Sequence, residues 1–444
     1  MYIAPAPPLE ELLHSIGEAD EYPKLFLAAQ HSPKEYIHWD KLRHLDPPEG
    51  LSHRHWWAGI KWARRSLMRE LPLEDPDGRP FVYAMPDDVL RLLHYVDQRC
   101  SGEIAMPEVV TADEQAKHHY LVNSLMEEAI RSSQLEGATT SRRVAKELIR
   151  SGRPPKDRSE RMIVNNYRAI LFMRDHIDEP LTSGLVLELQ RILTEQTLDN
   201  PDAAGRLQRA DEDRVAVIDR MDGEVIHRPP PAEQLPERLT KLCDFANAAE
   251  EEPGFIHPVV RAVLLHFWIG YDHPFEDGNG RTARALFYWA MKREGYWLVE
   301  YLSISHILRQ APAKYSKAFV LTETDERDTT YFILYQLQVI QKAVEELNRY
   351  LRRKVEEVRR VEDLIKGLDT FNHRQITVVG ESLRDLDRSY TFRSHALEHA
   401  VTHETARHDL LQLQARGLLD RRKDGKQFVF SPPGDLATRL RELA

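Results

Sequence analysis

Apolar side chains recur at helical spacing along most of the 444-residue chain, so the pattern predicts a mainly α fold with no internal repeat. The expected helices are His55 to Arg69, Glu114 to Leu135, Thr140 to Ser151, Arg158 to His176, Leu185 to Thr197, Glu233 to Ala248, Pro258 to Tyr271, and one opening near Arg281. The first of these is rich in tryptophan; Trp56, Trp57 and Trp62, with Trp39 upstream, are expected in the core. Between Arg214 and Pro231 the period changes. The runs Val215-Ala216-Val217-Ile218 and Glu224-Val225-Ile226 flank Met221-Asp222-Gly223, a hairpin signal, and Pro229 to Pro231 stop the second strand. A long amphipathic helix over Thr330 to Ile365 carries Leu337, Ile340, Val344, Leu347 and Leu351 on one stripe, as a connector would.

These changes of pattern suggest four segments, with bounds at 1–110, 111–325, 326–370 and 371–444. In the last, Thr391 to Ala400 and Thr402 to Gly417 fit a helix-turn-helix, with Thr405, Ala406, Leu410 and Leu413 inward. Leu418 to Phe430, turning at Lys423-Asp424-Gly425-Lys426, then resembles the wing of a winged helix. Its Arg421, Arg422, Lys423 and Lys426, with Arg407, His408 and Arg416 on the second helix, make DNA an expected partner of region 371–444. Glu404 and Asp409 on the same helix weigh against that, and favour a protein-docking or packing role.

The formal charge of −10 and pI of about 6.1 argue against a nucleic-acid coat over the whole chain. Cys100 and Cys243 are too few and too far apart for a disulfide framework or zinc spacing, which suits a reducing cytoplasm. The first ten residues are proline-rich and acidic, unlike a secretory signal, and no apolar run is long enough for a bilayer, so no membrane partner is expected.

Chemistry concentrates in His273-Pro274-Phe275-Glu276-Asp277-Gly278-Asn279-Gly280-Arg281-Thr282-Ala283-Arg284, set between two helix-like segments. Gly278, Asn279 and Gly280 offer backbone N–H groups where a helix begins, a place that favours an anion. Arg281 and Arg284, three apart, suit bidentate phosphate contacts. Asp277 is a hard oxygen ligand fit for Mg²⁺, and His273 titrates in the range needed to accept a proton from a hydroxyl. Taken singly, each is commonplace; together they are the parts for in-line attack at phosphorus.

The string resembles the signature of the Fic family, His-x-Phe-x-Asp/Glu-Gly-Asn-Gly-Arg-x-x-Arg, with every defined position filled. The resemblance runs from about Thr111 to Thr322. It implies a Fic-type helical core in which His273 is the general base, Phe275 a core anchor and Asp277 the Mg²⁺ ligand. Gly278, Asn279 and Gly280 would form the α-phosphate anion hole, and Arg281 and Arg284 would contact the outer phosphates. Intact glycines and arginines imply protein adenylyltransfer, AMP passing from ATP to a Ser, Thr or Tyr hydroxyl of a target protein, the enzyme itself included. The hairpin resembles the family's flap, with Val215, Val217, Val225 and Ile226 beside the target peptide, although Gly205-Arg206-Leu207-Gln208-Arg209 departs from the usual Gly-x-aromatic-Arg approach. A homodimer is compatible with the resemblance.

Upstream, Ser132-Ser133-Gln134-Leu135-Glu136-Gly137 closes a helix, leaving Glu136 at its negative end where a carboxylate is disfavoured. The segment resembles the family's inhibitory motif, Ser/Thr-x-x-x-Glu-Gly/Asn. This implies a salt bridge from Glu136 to Arg284 that occupies the γ-phosphate site, with Ser132 on the same helix face. Two other functions stay open: AMP removal through the same site, and a DNA-binding regulator whose Fic core only senses nucleotide.

Overall fold

The structure, a computed structural model, describes residues 3–16, 22–101, 114–214, 217–218, 225–248, 254–366, 371–384, 386, 388–399, 401–424 and 427–443. It is mostly helical, with three small two-stranded antiparallel sheets among the described residues. It forms two compact units, the second holding Asn348 onward together with Glu114.

The first unit opens with α1 (Leu9–Ile16), α2 (Tyr22–Gln30), the short α3 (Trp39–Leu42) and α4 (His53–Arg65). Ser52 caps α4, its hydroxyl accepting from the His55 amide at 3.2 Å. The tryptophan helix therefore ends four residues before the expected Arg69, because Arg69 opens β1 (Arg69–Glu74), paired with β2 (Pro80–Tyr83). Asp75-Pro76-Asp77-Gly78 turns between them: Asp75 caps the turn by accepting from the Asp77 and Arg79 amides at 3.0 and 2.9 Å. Of the expected core tryptophans, Trp56 and Trp57 are buried, whereas Trp62 is 51% exposed. It stands five residues after Trp57, off the helix's inward stripe.

There follow α5 (Asp87–Cys100), α6 (Glu114–Leu135), α7 (Arg142–Ser151), α8 (Arg158–Asp175) and α9 (Ser183–Thr194). Side-chain caps from Ser141, Asp157 and Thr182 set the starts of α7, α8 and α9. The hairpin appears as β3 (Val217–Ile218) and β4 (Val225–His227), Val217 opposite His227 and Ile218 opposite Val225. Val215 and the expected turn at residues 221–223 lie outside the described residues. Then come α10 (Leu235–Asn247), α11 (Pro258–Asp272), α12 (Asn279–Arg293), α13 (Ile304–Gln310) and α14 (Pro312–Glu323), and α15 (Thr330–Lys366) runs on into the second unit.

The axis of the first unit is α11, whose residues from Val259 to Ile269 are all buried, apolar ones on every side. Only a helix wrapped by others tolerates that composition. Phe267 stacks on Phe319 of α14 at 5.2 Å and meets Phe81 of β2 at 5.5 Å, so the β1–β2 hairpin packs directly against the helix that leads to the candidate site. At its end, buried Asp272 accepts from Arg238 Nε and Nη2 at 2.9 and 2.6 Å and from Trp268 Nε1 at 2.9 Å.

In the second unit, α16 (His373–Arg384), α17 (Phe392–Glu398), α18 (His403–Ala415), β5 (Asp420–Asp424), β6 (Gln427–Ser431) and α19 (Leu436–Leu443) close on a core that includes Val378, Tyr390, Leu410, Leu413 and Phe430. Ala406, Leu410 and Leu413 face inward as expected, and Gly417, at φ 74°, ends α18. Asp409 also faces inward. It accepts from Asn372 Nδ2 at 2.8 Å and Arg374 Nε at 2.7 Å, so it ties α18 to the start of α16 rather than repelling a ligand at the surface.

Asp272 is a buried carboxylate with a buried cationic partner, and removing the cation strands it. Arg238→Met is expected to destabilise the protein by about 3 kcal/mol at neutral pH, read as a lower urea midpoint. The loss should shrink at acidic pH, where the carboxyl takes a proton.

Candidate functional site

Residues 274–278 join α11 to α12 in one tight loop, and its shape follows from three side chains. Phe275 is fully buried and pins the loop to the core. Asn279 clasps the same residue from both sides: its Oδ1 accepts from the Phe275 amide at 3.0 Å and its Nδ2 donates to the Phe275 carbonyl at 2.7 Å. Gln190 of α9 donates to the Asp277 carbonyl at 3.0 Å and accepts from the Gly205 amide at 2.5 Å.

Gly278, at φ 91°, caps α12 in the left-handed region, which glycine enters without strain. The amides of Asn279, Gly280 and Arg281 follow as the first turn and have no intrahelical acceptors. Free amides at a helix start of this kind attract anions. Asn279 would take part through its backbone, since its side chain is committed to Phe275.

His273 ends α11 in the left-handed region, at φ 44°, its amide donating to the Ile269 carbonyl at 3.0 Å. A non-glycine residue there is strained, and such strain clusters at functional sites. Arg214 holds the turn, donating to the carbonyls of Asp272 and Pro230 at 2.7 and 2.8 Å and to the side chain of Gln208. Gln208 in turn donates its amide to the Pro274 carbonyl at 2.9 Å, so the segment that departs from the family pattern still docks on the loop. His273 Nδ1 faces the Gly270 carbonyl at 3.4 Å. A carbonyl only accepts, so Nδ1 carries the proton and Nε2 the lone pair. Burial draws this imidazole down to about 4, against the opposing pull of the Gly270 carbonyl, so it is neutral at pH 7.

Both arginines are buried, and they differ in what they meet. Arg281 donates from Nη1 to the Leu193 carbonyl at the end of α9, at 2.9 Å, and from Nη2 to Asp277 at 3.0 Å. Arg284 donates from Nε to Ser132 Oγ at 2.9 Å, and from Nη2 to the Ser132 carbonyl at 3.3 Å and Glu136 Oε1 at 2.8 Å. Burial acts against the Arg284 cation, but Glu136, Tyr315 and Glu128 outweigh it and hold the guanidinium above its ordinary range. Its Nη1 is buried, and among the described residues no hydrogen-bond partner meets it. The Glu136 carboxylate lies so close over Gly280 that a Cβ there would stand 2.2 Å from Oε1. A carboxylate thus sits at the helix start where an anionic ligand would be drawn.

Asp277 is half-exposed; one oxygen accepts from the Gly278 amide at 2.6 Å and the other from Arg281. No cluster of three His, Cys, Asp or Glu side chains able to hold a metal occurs among the described residues. A lone half-open carboxylate beside a phosphate-attracting turn does fit Mg²⁺, which binds through one or two carboxylates, substrate phosphates and water.

The sequence pattern did not point to Arg214, Gln190, Arg238 or His227. His227 of β4 places Nε2 2.6 Å from the Tyr271 carbonyl and Nδ1 2.8 Å from Glu323, tying the hairpin to α11 and α14. Only the backbones of Val217, Val225 and Ile226 are described, in β3 and β4.

A family model described as Fic/DOC family matches residues 180–291. "Protein adenylyltransferase Fic" of Nematostella vectensis is 39% identical over 70 residues, 16% of either chain. "Protein adenylyltransferase fic-1" of Caenorhabditis elegans is 41% identical over 64 residues, 14% of this chain and 12% of that protein. The chain therefore spans less than a fifth of these curated relatives. A crystal structure of a Fic family protein from Desulfovibrio desulfuricans G20 shares the fold, with a TM-score of 0.53 at 17% identity, over 79% of this chain and 98% of that one. No described helix is long and apolar enough to cross a membrane.

Two outcomes are expected from this geometry. Gly280→Ala should cost about 1–3 kcal/mol, because the new methyl collides with Glu136 and Arg284, and the cost should fall in a Glu136→Gly background; thermal unfolding of the four variants checks it. For His273, the unfolded imidazole binds a proton near pH 6.5 and the folded one only near 4, so its contribution to stability is lost as pH falls through that window. His273→Ala should accordingly lose stability less steeply than wild type between those pH values in urea titrations.

Proposed function

Because this chain is a Fic family protein, we propose that it transfers AMP from ATP to a hydroxyl of a protein substrate and that Glu136 restrains the reaction. The observation that carries the reading is the position of the Glu136 carboxylate, held by buried Arg284 above Gly280 at the start of α12. Restraint requires a group that competes with phosphate, and this one takes both the cation and the helix end that a triphosphate would seek.

In the reaction, the substrate hydroxyl attacks the α-phosphorus. The new O–P bond forms as the bond to the β-phosphate oxygen breaks, and diphosphate leaves. The hydroxyl proton goes to His273 Nε2, the nitrogen left with the lone pair. The first-turn amides of α12 supply donors for the charge that develops on the phosphoryl oxygens. Asp277 would hold Mg²⁺ with the phosphates, and bound Mg²⁺ neutralises part of their charge. Once Glu136 withdraws, Arg284 offers Nη1 and Nη2 to the outer phosphates. The backbone edge of the β3–β4 hairpin suits a substrate segment added as an extra strand, with little side-chain selectivity.

Glu136→Gly should raise incorporation of labelled AMP into protein by about 5- to 150-fold, the span of a coupling of about 1–3 kcal/mol. Unchanged incorporation would remove the restraint from the reading. In that variant, His273→Ala should lower incorporation by about 10²–10⁴-fold, and chelation of Mg²⁺ should also suppress it. AMP removal is distinguished in the same assay: a pre-modified substrate that loses AMP only when Glu136 is present would reverse the direction assigned here.

A further inference from the structure

Glu136 stands at the end of α6, and two turns earlier the same helix carries a second acid that the proposed reaction does not use. Glu128, Ser132 and Glu136 are spaced by four, so they lie along one face. Glu128 is 4% exposed. One of its oxygens accepts from Ser303 Oγ at 2.8 Å and from the Ser305 amide at 3.2 Å, and the other accepts from the Ser305 hydroxyl. Each of these contacts is a donor aimed at an oxygen of the carboxyl, so the site needs an acceptor there.

The segment that supplies the donors is itself braced by α12. Tyr288, one turn beyond Arg284, donates to the Leu302 carbonyl at 3.2 Å and accepts from the Ile304 amide at 2.9 Å. Thus α6 meets α12 twice: directly through Ser132, Glu136 and Arg284, and through Glu128 and the 302–305 segment that Tyr288 grips. Asn166 of α8 steadies the adjoining face of α6, donating to the Ala129 carbonyl at 3.0 Å and to Ser133 Oγ at 3.3 Å.

We propose that Glu128 is a positioning residue, which sets the tilt of α6 and thereby holds Glu136 over Gly280 and Arg284. Eight residues of helix put the anchor about 12 Å from the Glu136 end. A tilt of about 5° about that anchor moves the carboxylate by about 1 Å, enough to open a hydrogen bond. Without the anchor, the helix can lean away from α12 without unfolding. The inference rests on the reading of Glu136 as the restraining group.

The test uses the full-length protein with Glu128→Ala, Glu128→Gln and Ser305→Ala, each alone and combined with Glu136→Gly. Hydrogen exchange of the backbone amides 129–136 and incorporation of labelled AMP are measured together. Glu128→Ala is expected to speed exchange across 129–136 and to raise incorporation about tenfold. Glu128→Gln, which keeps an acceptor for the serines, should stay near wild type in both. In the Glu136→Gly background Glu128→Ala should add nothing, because the group being positioned is gone; a merely structural role would lower activity there. Unchanged exchange in Glu128→Ala overturns the proposal. So does unchanged incorporation in that variant when Glu136→Gly raises it. If Glu136→Gly itself has no effect, the proposed restraint fails, and exchange alone judges whether Glu128 sets the helix. Should Glu128→Ala fail to fold, Ser305→Ala carries the same expectations and the same overturning results.

Discussion

A guanidinium buried at the heart of a protein cannot go without counter-charge, and much of this architecture answers that requirement at Arg284. The residue lies in the first turns of α12, almost wholly removed from solvent. Three groups from α6 meet it: the Ser132 hydroxyl, the Ser132 carbonyl and the Glu136 carboxylate. A buried cation of this kind is satisfied either by the protein or by a ligand of like charge to the carboxylate. In the proposed reaction the same side chain would stabilise the folded state in one condition and recruit a polyanion in another. On that proposal, restraint and substrate binding are alternative uses of one charge.

The site is held from two sides, one within the loop and one from the end of α6. Phe275, Asn279 and Gln190 hold the loop through contacts that need no ligand. Arg214 holds the backbone at Asp272, beside His273. On the other side, the end of α6 is fastened by polar contacts at its last turn and, two turns back, by Glu128. Packing of α11 on α12 and on the aromatic rings of Phe81, Phe319 and Phe332 keeps the two helices that flank the loop in register.

How much of this is legible in the sequence depends on range. The loop from His273 to Arg284 is readable because its functional groups are close along the chain and their chemistry is explicit. The Glu136–Arg284 pair spans 148 residues; helix-end electrostatics says only that Glu136 wants a cation, and the family resemblance names which. The inward turn of Arg281 onto the Leu193 carbonyl is not readable, since an amphipathic pattern does not say which free carbonyl lies in reach. Nor is the burial of Asp409, whose partners Asn372, Arg374 and His395 lie outside its own helix. The N-terminal region departs from expectation for a local reason: helix-compatible residues continue past Arg65 and mask the Asp75-to-Gly78 turn that pairs β1 with β2.

The clasp of Asn279 on Phe275 has a consequence for how a ligand would be received. Because the amide side chain closes the loop upon itself, the peptide groups around Gly278 are held in one orientation without any ligand. Little chain entropy remains to be lost there on binding. If the proposed nucleotide is admitted, the expense would fall on a segment outside the matched stretch of residues 180–291, namely the tail of α6. Under the proposed restraint, selection could adjust how readily it is released by editing that tail and its moorings, leaving the loop untouched.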